Sequence, residues 1–184
     1  RYSIFTGNYP GRAESASAGC TATEPYSVVF NADLQPGDPS MGTRLREAGY
    51  FTGHVGKWHC NFAHAQTADK PWKPEGFPDD VSLDDPDFDR ALRDAQSVHL
   101  ETVRDCAGFE WVGAAQWGNL DNKRPDRLRH HNVPWLTQTA LDFLDAADKD
   151  GRPFCLHLAN SVPHSPDAAR ALGDDRRYTL GGKQ

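Results

Sequence analysis

The sequence has few of the features that mark membrane proteins or disulfide-rich proteins. No apolar run approaches the roughly 20 residues that a membrane-spanning helix needs. No C-x-x-C pair occurs among its four cysteines, which argues against a zinc ribbon and a dense disulfide scaffold. The charged start and apolar core of a signal peptide are also missing. Because the chain begins with Arg1 rather than Met, this last absence leaves localisation open.

Positive charge is not concentrated anywhere in the chain, and the acidic run PDDVSLDDPD is interpreted as a solvated surface. The net charge is -6, the pI is about 5.7, and Lys and Arg are scattered among Asp and Glu. A nucleic-acid-binding protein needs a basic stripe, so we do not expect nucleic acid as a partner. The 184 residues, 38% hydrophobic and 25% charged, suit one globular domain or part of one.

One cluster of potential zinc ligands lacks a second half. His54, His59, Cys60 and His64 lie close together in the chain, and His and Cys are common zinc ligands. Structural zinc sites usually pair ligands at both ends of a loop with short fixed spacers. No matching pair accompanies this cluster, so we do not assign a zinc site to it.

The first part of the chain predicts two helical segments and one strand. Residues 1–11 predict a short helical turn followed by a Tyr-Pro-Gly turn, and residues 12–39 predict a long loop. Ser40 is a suitable cap for a helix that runs to about Ala48. The text YFTGHVG then predicts a short strand that Gly56 closes.

The remaining chain predicts two longer helices and another strand. Residues 61–85 predict a loop, and apolar spacing indicates a helix over residues 87–105. Residues 106–130 predict irregular structure. A broad apolar stripe indicates a helix over residues 134–147, and alternation in RPFCLHLANS predicts a strand. Helices that alternate with strands predict an α/β fold with a largely parallel sheet.

Both predicted strands deliver a histidine just beyond their ends. The first strand runs into Lys57 and His59, and the second runs into a loop that carries His164. In open α/β sheets, ligands bind in the crevice outside the carboxyl ends of the strands. These two loops are therefore the best candidates for a functional site.

Three stretches of the chain resemble, in the same order, the motifs of one enzyme family. They read RYSIFTGNYPGR, GYFTGHVGKWHC and RPFCLHLANSVPHSP. The first resembles the text after the Cys- or Ser-x-Pro-Ser-Arg nucleophile signature of type I sulfatases, members of the alkaline-phosphatase superfamily. The second resembles their G-Y-x-T-x-x-x-G-K-W-H segment, and the third their P-F-F-L-x-L and P-H-x-P segments. The combination is specific, although each motif alone is weak.

The resemblance implies a fold, an activity and a partial chain. The fold is an alkaline-phosphatase-like α/β sandwich with a mostly parallel central sheet flanked by helices, and the activity is arylsulfatase-like hydrolysis of a sulfate monoester. In this alignment Arg1 ends the nucleophile signature, so the formylglycine nucleophile lies upstream of Arg1. The ligands of the divalent cation, expected to be calcium, also fall outside residues 1–184. We therefore expect a fragment of the catalytic domain that is inactive alone.

The resemblance also implies roles for four residues. Lys57 contacts the sulfate, a task that suits a compact ammonium with three donors. His59 hydrogen-bonds the hydrated formylglycine and takes its proton when the sulfated hemiacetal breaks down. His164 lies near the bridging ester oxygen, where it helps to bind the sulfate and protonates the leaving group. Arg1 anchors the formylglycine and its surroundings.

Other polar and aromatic residues have weaker functional interpretations. Trp117 and Asn119 are candidates to line a substrate pocket, because Trp stacks on sugar and aryl rings. His130 and His131 precede a helix and are interpreted as surface or capping groups. His157 alternates inside a strand and is interpreted as a core histidine with satisfied hydrogen bonds.

Two alternatives to a sulfatase stay open at this point. One is a phosphate or phosphonate ester hydrolase of the same superfamily, since phosphate and sulfate share size and geometry. The other is a non-catalytic relative that binds sulfated glycans. The family usually continues with Leu-Gly after GKWH, whereas this chain has Cys60 and Asn61, so the sulfated small molecule or glycan is not identified. The resemblance implies a periplasmic, secreted or lysosomal location.

Overall fold

A parallel sheet of three strands, in the order β2-β1-β3, forms the centre of the fold. β1 spans Phe51–Trp58, β2 spans Trp111–Trp117 and β3 spans Phe154–Ala159. β1 pairs in parallel with both neighbours, so the carboxyl ends of the three strands lie at one edge. The structure is a computed structural model, and it describes residues 2–13, 32–60, 69–120, 123–165 and 168–184.

A helix precedes each of the three strands in the chain. Within the described residues the α-helices are α1 (Tyr2–Thr6), α2 (Met41–Glu47), α3 (Pro86–Ala107) and α4 (Val133–Asp150). Short 3₁₀ turns occupy Pro10–Arg12, Asp126–Leu128 and Ala168–Gly173. A small antiparallel hairpin ends the chain, with β4 at Tyr178–Thr179 and β5 at Gly182–Lys183.

Local sequence signals account for the ends of these helices. The Ser40 and Thr43 side chains form a capping box at the start of α2. The Asp85 carboxylate accepts hydrogen bonds from the backbone N–H groups of Asp87 and Phe88 in the first turn of α3. Pro86 has no backbone N–H, and it occupies the first helical position, where an N–H would have no partner within the helix. Gly108 ends α3 in the left-handed conformation that glycine adopts at little cost. The predicted helices are confirmed, with ends shifted by up to three residues.

α4 covers one face of the sheet. The Phe143 ring stacks on Phe51, with ring centroids 5.3 Å apart and planes 7° apart. A Cβ on Gly53 would lie 2.2 Å from Cε2 of Phe143, so the absence of a side chain permits this close packing. Leu136 of α4 shares a buried cluster with Val55. These contacts join the helix to the central strand.

α1, α2 and α3 pack against the opposite face. Phe5 of α1 lies 4.7 Å from the Trp58 ring, centroid to centroid, and meets Phe109 edge-on. Val103 and Cys106 of α3 are buried in the same apolar cluster. Helices therefore flank both faces of a parallel sheet, and the predicted α/β fold class is confirmed.

The prediction of irregular structure over residues 106–130 is wrong, because β2 lies there. Its residues 112–116 are all buried, and they include glycine and alanine, which have low intrinsic strand propensity. A Cβ on Gly113 would lie 2.4 Å from Cγ2 of Thr139, so a larger residue would displace α4. Pairing with β1 and burial therefore create a strand that the local sequence does not signal.

The prediction that Gly56 closes β1 is also wrong, because the strand continues through Lys57 to Trp58. The register between β1 and β2 shifts at this level, where two residues of β2, Ala114 and Ala115, face Gly56 alone. Gly56 has φ +100° and Ala114 has φ +47°. β-bulges of this kind bend strands and re-aim side chains next to functional sites.

Several sequence predictions lie partly outside the described residues. Residues 32–39 and 69–85 contain no helix or strand, which agrees with the loops predicted there. Residues 14–31 and 61–68 are not among those described, and the latter include His64. In the part of the chain that the structure covers, no helix combines the length and apolarity needed to cross a bilayer.

We expect Gly56→Ala to destabilise the protein more than Gly49→Ala. Both glycines have positive φ, but a Cβ on Gly56 would lie 2.3 Å from the Ala159 carbonyl oxygen, whereas a Cβ on Gly49 would meet nothing within 4 Å. Backbone strain of about 1–2 kcal/mol applies to both variants. Overpacking of about 1–3 kcal/mol applies to Gly56→Ala only. Equal urea-unfolding free energies for the two variants would contradict the close strand contact.

Candidate active site

The structure brings the two predicted site loops to the same edge of the sheet. Lys57 is near the end of β1 and His59 follows that strand, while His164 lies in the loop after β3. β1 and β3 are parallel neighbours, so both loops leave the sheet at their carboxyl ends. Arg1, the fourth predicted site residue, lies outside the described residues.

The Lys57 side chain is buried at this edge, with 6% of its surface exposed. Its Nζ donates a hydrogen bond to Oδ1 of Asn119 at 2.7 Å. An amide oxygen orients an ammonium group without cancelling its charge. Because Asn119 follows β2, the neighbouring strand helps to fix the position of the cation.

His59 packs between the sheet edge and a cavity. The residue is half-buried, and a Cβ on Gly118 would lie 3.7 Å from its Nε2. The imidazole therefore lies close to the backbone that follows β2. The same side chain lines a cavity of about 830 Å³, which is large enough for a small-molecule ligand.

The His164 side chain is exposed in the loop after β3. Its Nδ1 lies 3.1 Å from the Ser165 carbonyl oxygen. The same Nδ1 lies 3.2 Å from the Ser165 hydroxyl oxygen, so Ser165 contacts this nitrogen through both its carbonyl and its hydroxyl group. The backbone N–H of His164 donates to the Ser161 carbonyl oxygen at 2.9 Å, which ties the histidine to a buried residue.

The interpretation of His131 as a surface or capping group is wrong. Its side chain is 1% exposed, and its Nδ1 lies 3.0 Å from Oγ of Ser161. The Ser161 hydroxyl also reaches the His131 carbonyl oxygen at 3.3 Å. This contact anchors the start of the loop that carries His164. His130 is half-buried, with its Nδ1 3.6 Å from Oδ2 of Asp174.

His54 and His157 link β1 to β3 below this edge. Their Nδ1 atoms lie 2.8 Å apart, and Nε2 of His54 lies 3.2 Å from the Gly56 carbonyl oxygen. The carbonyl must accept, so His54 carries its proton on Nε2 and accepts from Nδ1–H of His157. This bond agrees with the satisfied hydrogen bonding expected of His157, but the residue is half-buried rather than a core histidine. Burial and the neighbouring His157 lower the pKa of His54 to about 3.

The cavity beside His59 extends away from the sheet. Asn119 lines it next to Lys57, and Trp72, Phe77 and Lys123 contribute to its walls. Asn119 therefore lines a cavity, and its role in a substrate pocket stays a prediction. Trp117 provides the last backbone position of β2, but its side chain is outside the described part of the structure.

Comparison with known proteins identifies the family of this chain. The family model described as Sulfatase matches residues 1–180. The chain belongs to the sulfatase family. It is similar to the uncharacterized sulfatase YdeN of Escherichia coli (strain K12), with 25% identity over 174 residues that cover 91% of this chain. The sulfatase chain described here spans 28% of the length of that relative.

The divalent cation expected from the sulfatase resemblance has no match among the described side chains. Over these residues, no group of three or more His, Cys, Asp or Glu side chains is arranged to hold a metal ion. His54, which the sequence places near other potential ligands, is instead bonded to His157 and Gly56.

Lys123 is a site residue that the sequence does not reveal. It lies in a stretch without periodicity, and the only available signal is its position a few residues beyond Asn119. In the structure it lines the same cavity as His59. Burial, and to a lesser extent the charge of Lys57, lowers the pKa of Lys123 to about 8. The two lysines are therefore close enough to repel each other.

We expect the stability of this sulfatase chain to fall as the pH drops below about 6.5. The pKa of His54 is lowered to about 3, and burial lowers that of His99 to about 4. The unfolded chain takes up both protons near its ordinary pKa of about 6.5, while the folded chain does not. Protonation thus favours unfolding, by at most about 1.4 kcal/mol per pH unit for each histidine.

Urea unfolding between about pH 5.5 and 7.5, where most carboxylates stay ionised, measures this dependence. The free energy of unfolding should rise with pH in the unsubstituted protein. His54→Gln should reduce the slope by about one proton, since the glutamine cannot titrate. A slope that this substitution leaves unchanged would contradict the buried, neutral His54.

Proposed function

We propose that the protein containing this chain hydrolyses sulfate monoesters at the edge where β1 and β3 end. The observation that carries the proposal is the buried Lys57 ammonium, held by Asn119 at the carboxyl end of the central strand. Negative charge persists on the sulfuryl oxygens as the ester bond breaks, so fixed cations and hydrogen-bond donors stabilise the transition state. Family membership supports sulfate as the anion.

We assign sulfate binding to Lys57. Its three N–H donors suit the oxygens of a tetrahedral anion, and one of them is already used on Asn119. Burial lowers the local dielectric constant, which strengthens the attraction between the ammonium and a bound sulfate. Because the position of Lys57 is set before the substrate arrives, little reorganisation is needed in the transition state.

We assign proton donation to His164. The leaving alcohol departs as an alkoxide unless a proton reaches the bridging oxygen, and histidine is the side chain that most often makes this transfer in enzymes. Because Ser165 contacts Nδ1 through its carbonyl and hydroxyl oxygens, we assign the proton transfer to Nε2. Its exposed position suits a group that meets the leaving group of an incoming substrate.

In this proposal His59 acts on the nucleophile rather than on the sulfate or the leaving group. The resemblance assigns it to the formylglycine, and its place after Trp58 puts it beside Lys57 in the chain. The formylglycine and the calcium ligands are assigned to positions outside residues 1–184. A bound divalent cation supplies further positive charge to the sulfuryl oxygens. The groups described here bind, orient and protonate.

We expect Lys57→Met to lower kcat/KM for 4-nitrophenyl sulfate by about 100- to 1,000-fold. Methionine keeps a long side chain but removes the charge that stabilises the transition state. The measurement is the steady-state release of 4-nitrophenol by the full-length protein. Lys70→Met is the matched control, because Lys70 is exposed and lies 3.6 Å from Asp94; it should retain full activity.

A comparison of two substrates tests whether the protein hydrolyses sulfate esters or phosphate esters. The full-length protein should hydrolyse 4-nitrophenyl sulfate with a higher kcat/KM than 4-nitrophenyl phosphate. A reversed order would replace the proposed sulfatase activity with phosphatase activity. Circular dichroism and thermal unfolding of Lys57→Met establish whether a loss of activity comes from chemistry rather than from misfolding.

We expect the effect of His164→Ala to depend on the leaving group. A general acid contributes about 100- to 10,000-fold where the leaving group needs a proton. The loss in kcat should therefore be large for an alkyl or sugar sulfate and much smaller for 4-nitrophenyl sulfate, whose phenolate leaves readily. Equal losses for both esters would assign His164 to sulfate binding instead of proton donation.

A further inference from the structure

We infer that the cavity beside Lys57 is an anion-binding subsite centred on Lys123, which takes a second negatively charged group of the substrate. The identification of the first group as a sulfate ester rests on the proposed function. The second group is a sulfate or carboxylate carried by the same ring. The substrate class is therefore a polyanionic sulfate ester rather than a simple monosulfate.

The cavity has the size and walls for a ring that carries charged groups. Its volume is about 830 Å³, within the range of small-molecule sites. Trp72 and Phe77 supply aromatic surface, and His59 and Asn119 connect the cavity to the sheet edge. Aromatic side chains pack well against the flat apolar faces of sugar and aryl rings. A ring in this cavity is thus next to the groups assigned to sulfate binding.

Charged residues of both signs line this cavity, and Lys123 is more buried than Arg124 and Lys73, the arginine and the other lysine among them. Arg124 is exposed. Lys73 is exposed, and its Nζ lies 5.3 Å from the Trp72 ring centroid. Lys123 is half-buried. A cation that is partly removed from water attracts an anion more strongly than an exposed one does.

The backbone of Lys123 is fixed before any ligand binds. Its N–H donates to the Leu120 carbonyl oxygen at 3.0 Å, and its own carbonyl oxygen accepts from Nε of Arg129 at 3.0 Å. A fixed backbone reduces the ordering cost of binding. Asn119 and Lys123, which both follow β2 in the chain, each line the cavity.

The electrostatics also favour an anion at this position. Burial, then the charge of Lys57, lowers the pKa of Lys123 to about 8. Two nearby ammonium groups with partial burial raise the free energy of the empty site. An anion bound between them and the solvent offsets that repulsion and raises the pKa of Lys123. Glu75 and Asp79 also line the cavity, so the attraction is local to Lys123 and not a property of the whole wall.

Calorimetric titration with two sulfonates that cannot be hydrolysed tests the subsite without relying on turnover. The probes are benzenesulfonate, with one charge, and benzene-1,3-disulfonate, with two. We expect the full-length protein to bind the disulfonate about tenfold more tightly, the size of one hydrogen bond to a charged group. Lys123→Met should remove this difference, while Lys70→Met, which changes an exposed lysine paired with Asp94, should keep it.

Proton uptake gives a second readout that a structural role would not produce. Near pH 8, disulfonate binding should draw protons onto Lys123, so the binding enthalpy should vary with the ionisation enthalpy of the buffer. Lys123→Arg should keep the preference for the disulfonate and lose the proton uptake, because arginine stays charged.

The outcomes separate this inference from the proposed function. Equal affinity for the two probes in the unsubstituted protein, or a preference that Lys123→Met retains, overturns the subsite. Failure to hydrolyse 4-nitrophenyl sulfate overturns the proposed function alone, since the binding titration does not depend on hydrolysis. A Lys123→Met variant that fails to fold leaves Lys123→Arg and its proton uptake to decide.

Discussion

The close approach of β1 to β3 at Gly56 is the constraint on which the site depends. There the backbone of β1 lies against the Ala159 carbonyl with no room for a Cβ, and β2 adapts with a register shift at Ala114. Lys57 follows directly. Holding a flexible lysine in one position costs conformational entropy. Here that entropy is lost when the chain folds, so binding a ligand does not require it to be lost again.

The distribution of charge at the sheet edge follows from the same packing. His54 stays neutral because it is buried against His157, so the strands are bonded to each other without adding positive charge. Lys57 and Lys123 bring positive charge to this edge, and burial, followed by the charge of Lys57, lowers the pKa of Lys123. The interior is thus kept neutral while its open end is suited to anions.

The sequence predicts the parts of this site that depend on local patterns. The helices, β1, β3 and the two strand-end loops are marked by caps, periodicity and flanking residues. β2 was not predictable, because Gly113 and Ala114 form a strand only through pairing and burial. The roles of His131 and Lys123 depend on contacts with distant parts of the chain, such as that of His131 with Ser161. The residues next to them in the sequence do not indicate these contacts.

The strand order β2-β1-β3 has a consequence for how the chain reaches its folded state. The central strand is synthesised first, but it pairs with strands that come later, and His54 is 103 residues away from its partner His157. Such long-range pairing is slow, because the chain loses loop-closure entropy before the strand contacts form and stabilise the fold. Both edges of β1 are therefore unpaired early in synthesis, when exposed strand edges favour aggregation. Among the three described strands of this sheet, the buried central one is thus the one exposed earliest in the nascent chain.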